Sequence, residues 1–102
     1  MSGREEAGTV EGNLRVDGAL VLFGTVTGSA TVVAGGSLRL SGTVLGDLVV
    51  EAGGEAVLGE SVRGDAVNRG GLLEVYGAVY GALHREAGTT LVDPDAFVRH
   101  RH

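Results

Sequence analysis

The chain has 102 residues, enough for one domain with a single core, and its net charge of −5 includes eight basic residues, all arginine, scattered among the acids. That distribution argues against nucleic-acid binding, and the lack of cysteine excludes disulfides and thiolate metal sites. The apolar share is 43%, with only two tyrosines, two phenylalanines and no tryptophan, so any core is thin and aliphatic.

No apolar run approaches the roughly 18 residues of a membrane span, and the N-terminus lacks the apolar segment of a signal peptide. We therefore expect a cytoplasmic protein with no direct membrane span. Residues 1–7 are polar and carry both charge signs, which predicts a short flexible tail.

From Gly8 onward a five-residue motif centred on valine recurs along the chain. The central valines are separated by 16, 18, 18 and 17 residues; they are Val10, Val26, Val44, Val62 and Val79. A repeat of this length is too short for a helical hairpin but suits one turn, or rung, of a β-solenoid.

Further columns of small or apolar residues keep a fixed offset from these valines. Four residues after each valine stand Leu14, Ala30, Leu48, Ala66 and Leu83, and six residues after it stand Val16, Val32, Val50, Asn68 and Arg85. These offsets share one parity, the period-2 signature of strands with one buried face. Asn68 and Arg85 break the last column, so packing is less regular there.

Each rung then reaches a glycine turn and a second apolar pair, such as Leu38 with Leu40. The fifth rung supplies only Leu91, and Pro94 cannot donate a ladder hydrogen bond, so stacking is expected to stop there. Rungs of 16–18 residues divide into three sides. The sequence predicts an all-β, single-domain, triangular parallel β-solenoid of about five rungs over residues 8–93. A C-terminal cap or tail follows over 94–102, with Pro94 and Phe97 covering the core.

The polar residues define no catalytic, cofactor or metal site. His84 is outward by parity and has no partner carboxylate at a regular offset, and Asp47 and Asp65 are interpreted as solubilising charge on rung edges. Hexapeptide-repeat acyltransferases also have 18-residue coils, and Leu58–Val62 fits their pattern. Most rungs here read V-x-G instead, and no long loop bears a catalytic histidine. We therefore expect a non-enzymatic protein without cofactors.

The V-x-G rungs, the aliphatic L-x-V and L-x-L pairs and the glycine turns over Gly8 to Val92 resemble the bactofilins, a family of bacterial polymer-forming proteins. The resemblance implies a right-handed triangular β-helix and end-to-end assembly into cytoskeletal-type filaments without nucleotide. The N-terminal residues lack the hydrophobic membrane-targeting segment found in many members.

Two surfaces are predicted to bind protein. The open N-terminal end of a coil exposes unpaired backbone groups and a slice of core, so a second copy is the expected partner there, through Leu14, Val16, Leu20 and Leu22. A lateral surface for another protein is predicted at Leu45, Val49, Val67 and Tyr80. The alternative function is a small monomeric or dimeric binding module, an adaptor or a toxin-neutralising partner, that uses this lateral surface.

Overall fold

The computed structural model describes the backbone of residues 3–6 and 8–100 and the side chains of residues 8–99, and within these ranges it contains strands and turns but no helix. The strands in chain order are β1 (Gly3–Glu6), β2 (Thr9–Val10), β3 (Leu14–Val16), β4 (Ala19–Leu22), β5 (Thr25–Val26), β6 (Ala30–Val32), β7 (Ser37–Leu40), β8 (Thr43–Val44), β9 (Leu48–Val50), β10 (Glu55–Leu58), β11 (Ser61–Val62), β12 (Ala66–Val75), β13 (Ala78–Val92) and β14 (Phe97–His100).

Every strand pair is parallel and joins one rung to the next, which produces three stacked sides. Side 1 contains β1, β4, β7, β10 and the ends of β12 and β13. Side 2 contains β2, β5, β8, β11, the start of β13, and β14. Side 3 contains β3, β6, β9, the start of β12 and the middle of β13. The protein is therefore an all-β parallel β-solenoid of about five turns, as the sequence predicts.

The core is a stack of aliphatic side chains inside this coil. The predicted valine column lies in register, with Val26, Val44, Val62 and Val79 all fully buried. The column from Leu14 to Leu83 is also in register, which confirms the period-2 interpretation. Successive rungs lie about 4.8 Å apart, and in this column leucine and alanine alternate, so that small side chains leave room for large ones.

Glycine at the corners lets successive rungs stack closely. A Cβ placed on Gly46 would lie 2.7 Å from the carbonyl oxygen of Gly28 in the preceding rung, closer than real contacts allow. Gly35 and Gly53 each turn the chain with φ of +83°, a conformation that L side chains rarely adopt. The glycine repeat thus marks the corners of the coil.

The N-terminal residues extend the coil. Residues 3–6, expected to belong to a flexible tail, form β1, which pairs with β4 from Gly3 opposite Ala19 to Glu6 opposite Leu22. Residues 1, 2 and 7 of the predicted tail lie outside the described residues.

The C-terminal residues also continue the coil, so the expected stop at Pro94 is wrong. The chain turns at Pro94 and forms β14, which pairs with β13 through Phe97 opposite Ala78 and Val98 opposite Val79. Leu91 points outward and is 52% exposed, whereas its neighbour Val92 packs against the core. Proline is compatible with this arrangement because it occupies a turn between strands, where no ladder donor is needed.

Candidate functional site

The coil has two ends and three sides that could bind another molecule. Within the described ranges, no three His, Cys, Asp or Glu side chains are placed to hold a metal ion together. The same ranges contain no helix of the length and hydrophobicity that crossing a membrane requires.

His84 has a carboxylate partner that the sequence pattern did not predict. Its Nε2 lies 3.3 Å from Oδ2 of Asp65, and the two side chains are 42% and 44% exposed. The sequence pattern, which compares regular offsets, does not predict this partner, because the rung geometry brings side chains of neighbouring columns together. A side-chain contact this exposed contributes little to stability.

Asp65 also belongs to a line of hydrogen bonds at the corner between sides 2 and 3, here called the corner ladder. Asn13 Oδ1 accepts the N–H of Ser29 at 2.9 Å, and Ser29 Oγ accepts the N–H of Asp47 at 3.1 Å. Asp47 Oδ1 accepts the N–H of Asp65 at 2.8 Å, and Asp65 Oδ1 accepts that of Ala82 at 2.8 Å. Asp47 and Asp65 therefore join rungs together, a role beyond the solubilising charge expected of them.

Asn68 breaks the aliphatic column for a structural reason. It is fully buried, and its Nδ2 donates to Thr89 O at 2.8 Å, to Thr90 Oγ1 at 2.9 Å and to Gly71 O at 3.2 Å. Its Oδ1 accepts the N–H groups of Gly70 at 3.1 Å and Gly71 at 2.9 Å. Asn68 therefore organises a turn of the coil. Arg85, in register with it on the next rung, is exposed.

The four residues predicted for self-association occupy unequal positions at the N-terminal end. Leu20 and Leu22 are buried in β4, whose outer edge is covered by β1. Val16 is buried in β3, and Leu14 in the same strand is half-buried. Within the described residues, β2 and β3 pair on one edge only, so the open part of this end lies on sides 2 and 3.

The predicted lateral surface falls on two sides of the coil. Val49 and Val67 are register partners on side 3, and both are partly buried. Leu45 and Tyr80 lie on side 2, and Arg63 stands between them in the same column, with its guanidinium carbon 5.6 Å from the centre of the Tyr80 ring. The four side chains therefore do not form one continuous apolar patch.

The predicted C-terminal cap is likewise rearranged. Phe97 does not cover the core: it lies on side 2 with half of its surface exposed, and its ring centre is 5.8 Å from that of Tyr80. Ala96 and Val98 pack against the core instead. The spacing of 19 residues from Val79 to Val98 continues the valine column, and following it past Pro94 would have placed Phe97 on the outside.

One feature of the C-terminal half was not predicted from the sequence. A depression of about 420 Å³ lies at the corner between sides 1 and 2, here called the aromatic depression, and its lining includes Glu60, Tyr76, Tyr80, Asp95 and Phe97. The three aromatic side chains are 42–51% exposed. Tyr76 donates from its hydroxyl to Glu74 Oε1 at 2.7 Å, and this bond and the negative charge of Glu74 raise the pKa of the phenol.

The fold and surface define a β-solenoid that fits a structural or a binding module. No protein-family model, curated protein or solved structure matches the chain. The choice between those two roles therefore rests on the ends and sides of the coil.

Proposed function

We propose that this protein is a bactofilin-like structural protein whose coils associate end to end into filaments or oligomers. The observation that carries the proposal is the N-terminal end, where β2 and β3 have no partner on their outer edges among the described residues. Such an edge presents a row of backbone donors and acceptors that a second copy can pair with.

Exposed core at both ends supports the same proposal. Val10 and Leu14 at the N-terminal end pack on the core but are only partly buried, and so are Val92 and Val98 at the C-terminal end. Stacking another coil on either end would remove this apolar surface from water, which favours association by about 25 cal/mol per Å². The repeat pattern, which resembles the bactofilins, agrees with this arrangement.

The backbone geometry of β3 offers a way to block this edge without disturbing the fold. The N–H of Leu14 donates to Ser29 O at 2.8 Å, and the carbonyl of Val16 accepts from the N–H of Val33 at 3.0 Å. Both groups therefore point toward the next rung, which contains β6. Peptide groups alternate in direction along a strand, so the N–H of Arg15 between them points toward the open edge. Proline at this position removes an edge donor but no hydrogen bond inside the coil.

The test compares Arg15→Pro with Arg15→Ala in negative-stain microscopy and light scattering across a concentration series. Both variants lose the exposed ion pair between Arg15 and Asp17, and only the proline blocks the edge. We expect filaments a few nanometres wide from the native chain and from Arg15→Ala, and shorter or no filaments from Arg15→Pro. Circular dichroism establishes that each variant keeps its strands.

A native chain that stays monomeric or dimeric at every concentration contradicts the proposal. So does unchanged assembly of a folded Arg15→Pro variant, because the N-terminal edge would then play no part. A charge at Leu22 is a poor test, since that side chain is fully buried and the variant would report on folding instead.

A further inference from the structure

The aromatic depression combines exposed rings with exposed negative charge. The Tyr80 and Phe97 rings are tilted by 50° to each other with centres 5.8 Å apart, and Tyr76 lines the same depression. Glu60 and Asp95 are exposed in its lining, and neither carboxylate forms an ion pair with a basic side chain within residues 8–99. A purely apolar partner would bury these carboxylates without compensation, which disfavours it.

The chain itself shows which chemical group these rings accept. The Arg63 guanidinium lies over the Tyr80 ring with Cζ 5.6 Å from the ring centre, within the range of a cation–π contact. A guanidinium is planar, stacks on aromatic faces and donates two parallel hydrogen bonds to a carboxylate, whereas an ammonium behaves as a compact point charge. Aromatic rings beside exposed carboxylates thus favour a guanidinium over an ammonium.

We propose that the aromatic depression is a docking site for an arginine side chain from a basic segment of a partner protein. The guanidinium stacks against the rings of Tyr76 and Phe97 and is held by the carboxylates of Glu60 and Asp95. The site is separate from the N-terminal edge, although Asp95 and Phe97 lie in the last rung beside the C-terminal end. Its binding is therefore measured in unassembled protein.

The composition of the chain provides a direct readout. There is no tryptophan, and the two tyrosines, Tyr76 and Tyr80, both line the depression, so tyrosine emission reports on this surface. The probes are blocked peptides of alternating glycine with arginine, with lysine or with glutamate, none of which fluoresces. Protein is kept below the concentration at which light scattering rises, and the titration is repeated in the Arg15→Pro variant, whose edge is blocked.

We expect the arginine peptide to change the emission saturably, with a dissociation constant between about 0.1 and 1 mM, a range typical of a few charge-assisted and ring contacts. The lysine peptide is expected to bind at least about fivefold more weakly, and the glutamate peptide not at all. Added salt weakens binding because the site is exposed.

Two variants and two matched controls localise the binding. Phe97→Leu, and separately Glu60→Gln with Asp95→Asn, are each expected to weaken arginine-peptide binding about fivefold or more while keeping both tyrosines. Phe23→Leu removes an equally exposed ring, 52% against 51%, which lies at the same corner two rungs before Gly59 and outside the lining of the depression. Glu55→Gln removes a carboxylate that lines a different surface. Both controls are expected to bind like the native chain.

Three results would overturn the proposal. The first is no saturable response to the arginine peptide, and the second is equal binding of the lysine peptide. The third is an emission change that follows protein concentration alone and disappears in Phe97→Leu, which would make a second copy of this chain the occupant. A chain that forms no filaments but binds the arginine peptide fails the proposed function and leaves this inference standing.

Discussion

The central rungs and the C-terminal rungs form the same coil by different means. In the central part, from β4 to β10, strands of two to four residues alternate with corners. In the C-terminal part, β12 and β13 run for 10 and 15 residues through the corners, with shifts of register between Asn68 and Leu72. The core changes there as well, from wholly aliphatic to one that contains a buried amide.

The difference arises from the length of the corner between sides 3 and 1. In the central rungs four residues separate the strands, and the turn closes on itself, with the N–H of Gly54 donating to Glu51 O at 3.0 Å. In the register of the next rung, only three residues separate Asn68 from Leu72. The Asn68 side chain then accepts the N–H of Gly71 and replaces the missing turn carbonyl. At this shortened corner a buried amide thus takes the place of the turn carbonyl, whereas the two-residue corner after Val16 keeps an aliphatic side chain in the core.

The largest expected effect comes from replacing Asn68 by valine, the residue that occupies this position in the central rungs. Val50 is the register partner of Asn68, so Asn68→Val restores the aliphatic column, yet it leaves the N–H groups of Gly70 and Gly71 without an acceptor. We expect the free energy of unfolding to fall by about 2–4 kcal/mol, measured by urea denaturation.

Inserting an alanine between Arg69 and Gly70 in the Asn68→Val variant is the matched control. It recreates the four-residue corner Glu51–Gly54 of the preceding rung and should recover most of the lost stability. If the Asn68→Val protein is as stable as the native chain, the short corner does not explain why an asparagine stands at position 68.

A smaller effect is expected at the corner ladder in the central rungs. Asp47→Ala removes the acceptor for the N–H of Asp65, whereas Asp47→Ser keeps an oxygen that the equivalent Ser29 already uses for this bond. Because the site is exposed and water can replace the acceptor, we expect a loss of about 1 kcal/mol for alanine and clearly less for serine. If the two variants are equally stable in urea, the hydrogen bond of the corner ladder is not the cause of the lost stability.

The smallest effect concerns Tyr76 in the C-terminal part. The hydrogen bond to Glu74 and its negative charge raise the phenol pKa above the ordinary value of 10.0, so the folded state favours the protonated phenol. This contribution to stability is fully present below pH 10.0 and is lost as the pH rises through the folded pKa.

Tyrosinate absorbance in a Tyr80→Phe background measures Tyr76 alone, because the chain has only two tyrosines. We expect a titration midpoint above 10.0 and a lower one after Glu74→Gln. An unchanged titration midpoint after Glu74→Gln would show that Glu74 does not raise the pKa of Tyr76.

The parts of the fold that repeat could be predicted from the sequence. Val26 and Leu48 recur at fixed offsets because every rung places the same position in the same environment, and the structure confirms their burial. What could not be predicted lies where the repeat changes length. The sequence pattern predicts that Leu91 faces inward, yet Val92 occupies that place, because the three-residue corner after Arg85 moves the inward parity by one residue.

The surfaces were harder to predict than the core. The aromatic depression brings Phe97 together with Tyr76 and Tyr80. A stop at Pro94, as the sequence predicts, leaves no place for Phe97 on side 2, where it pairs with Ala78. Asp47 and Asp65 resembled ordinary surface charge, since a side chain that accepts a backbone N–H one rung away leaves no local sequence signal. The self-association surface at Leu14 and the lateral surface at Leu45 stay predictions.

The corner ladder ends at a defined place in the coil. Each acceptor side chain holds the following rung, and the series ends at Ala82, which has no side-chain oxygen to hold another. In the proposed filament of stacked coils the ladder would therefore be interrupted once per copy, between Ala82 and the rung that contains β14. Within the described residues, the last rung of each copy would then be held at this corner without the side-chain hydrogen bond that joins the inner rungs.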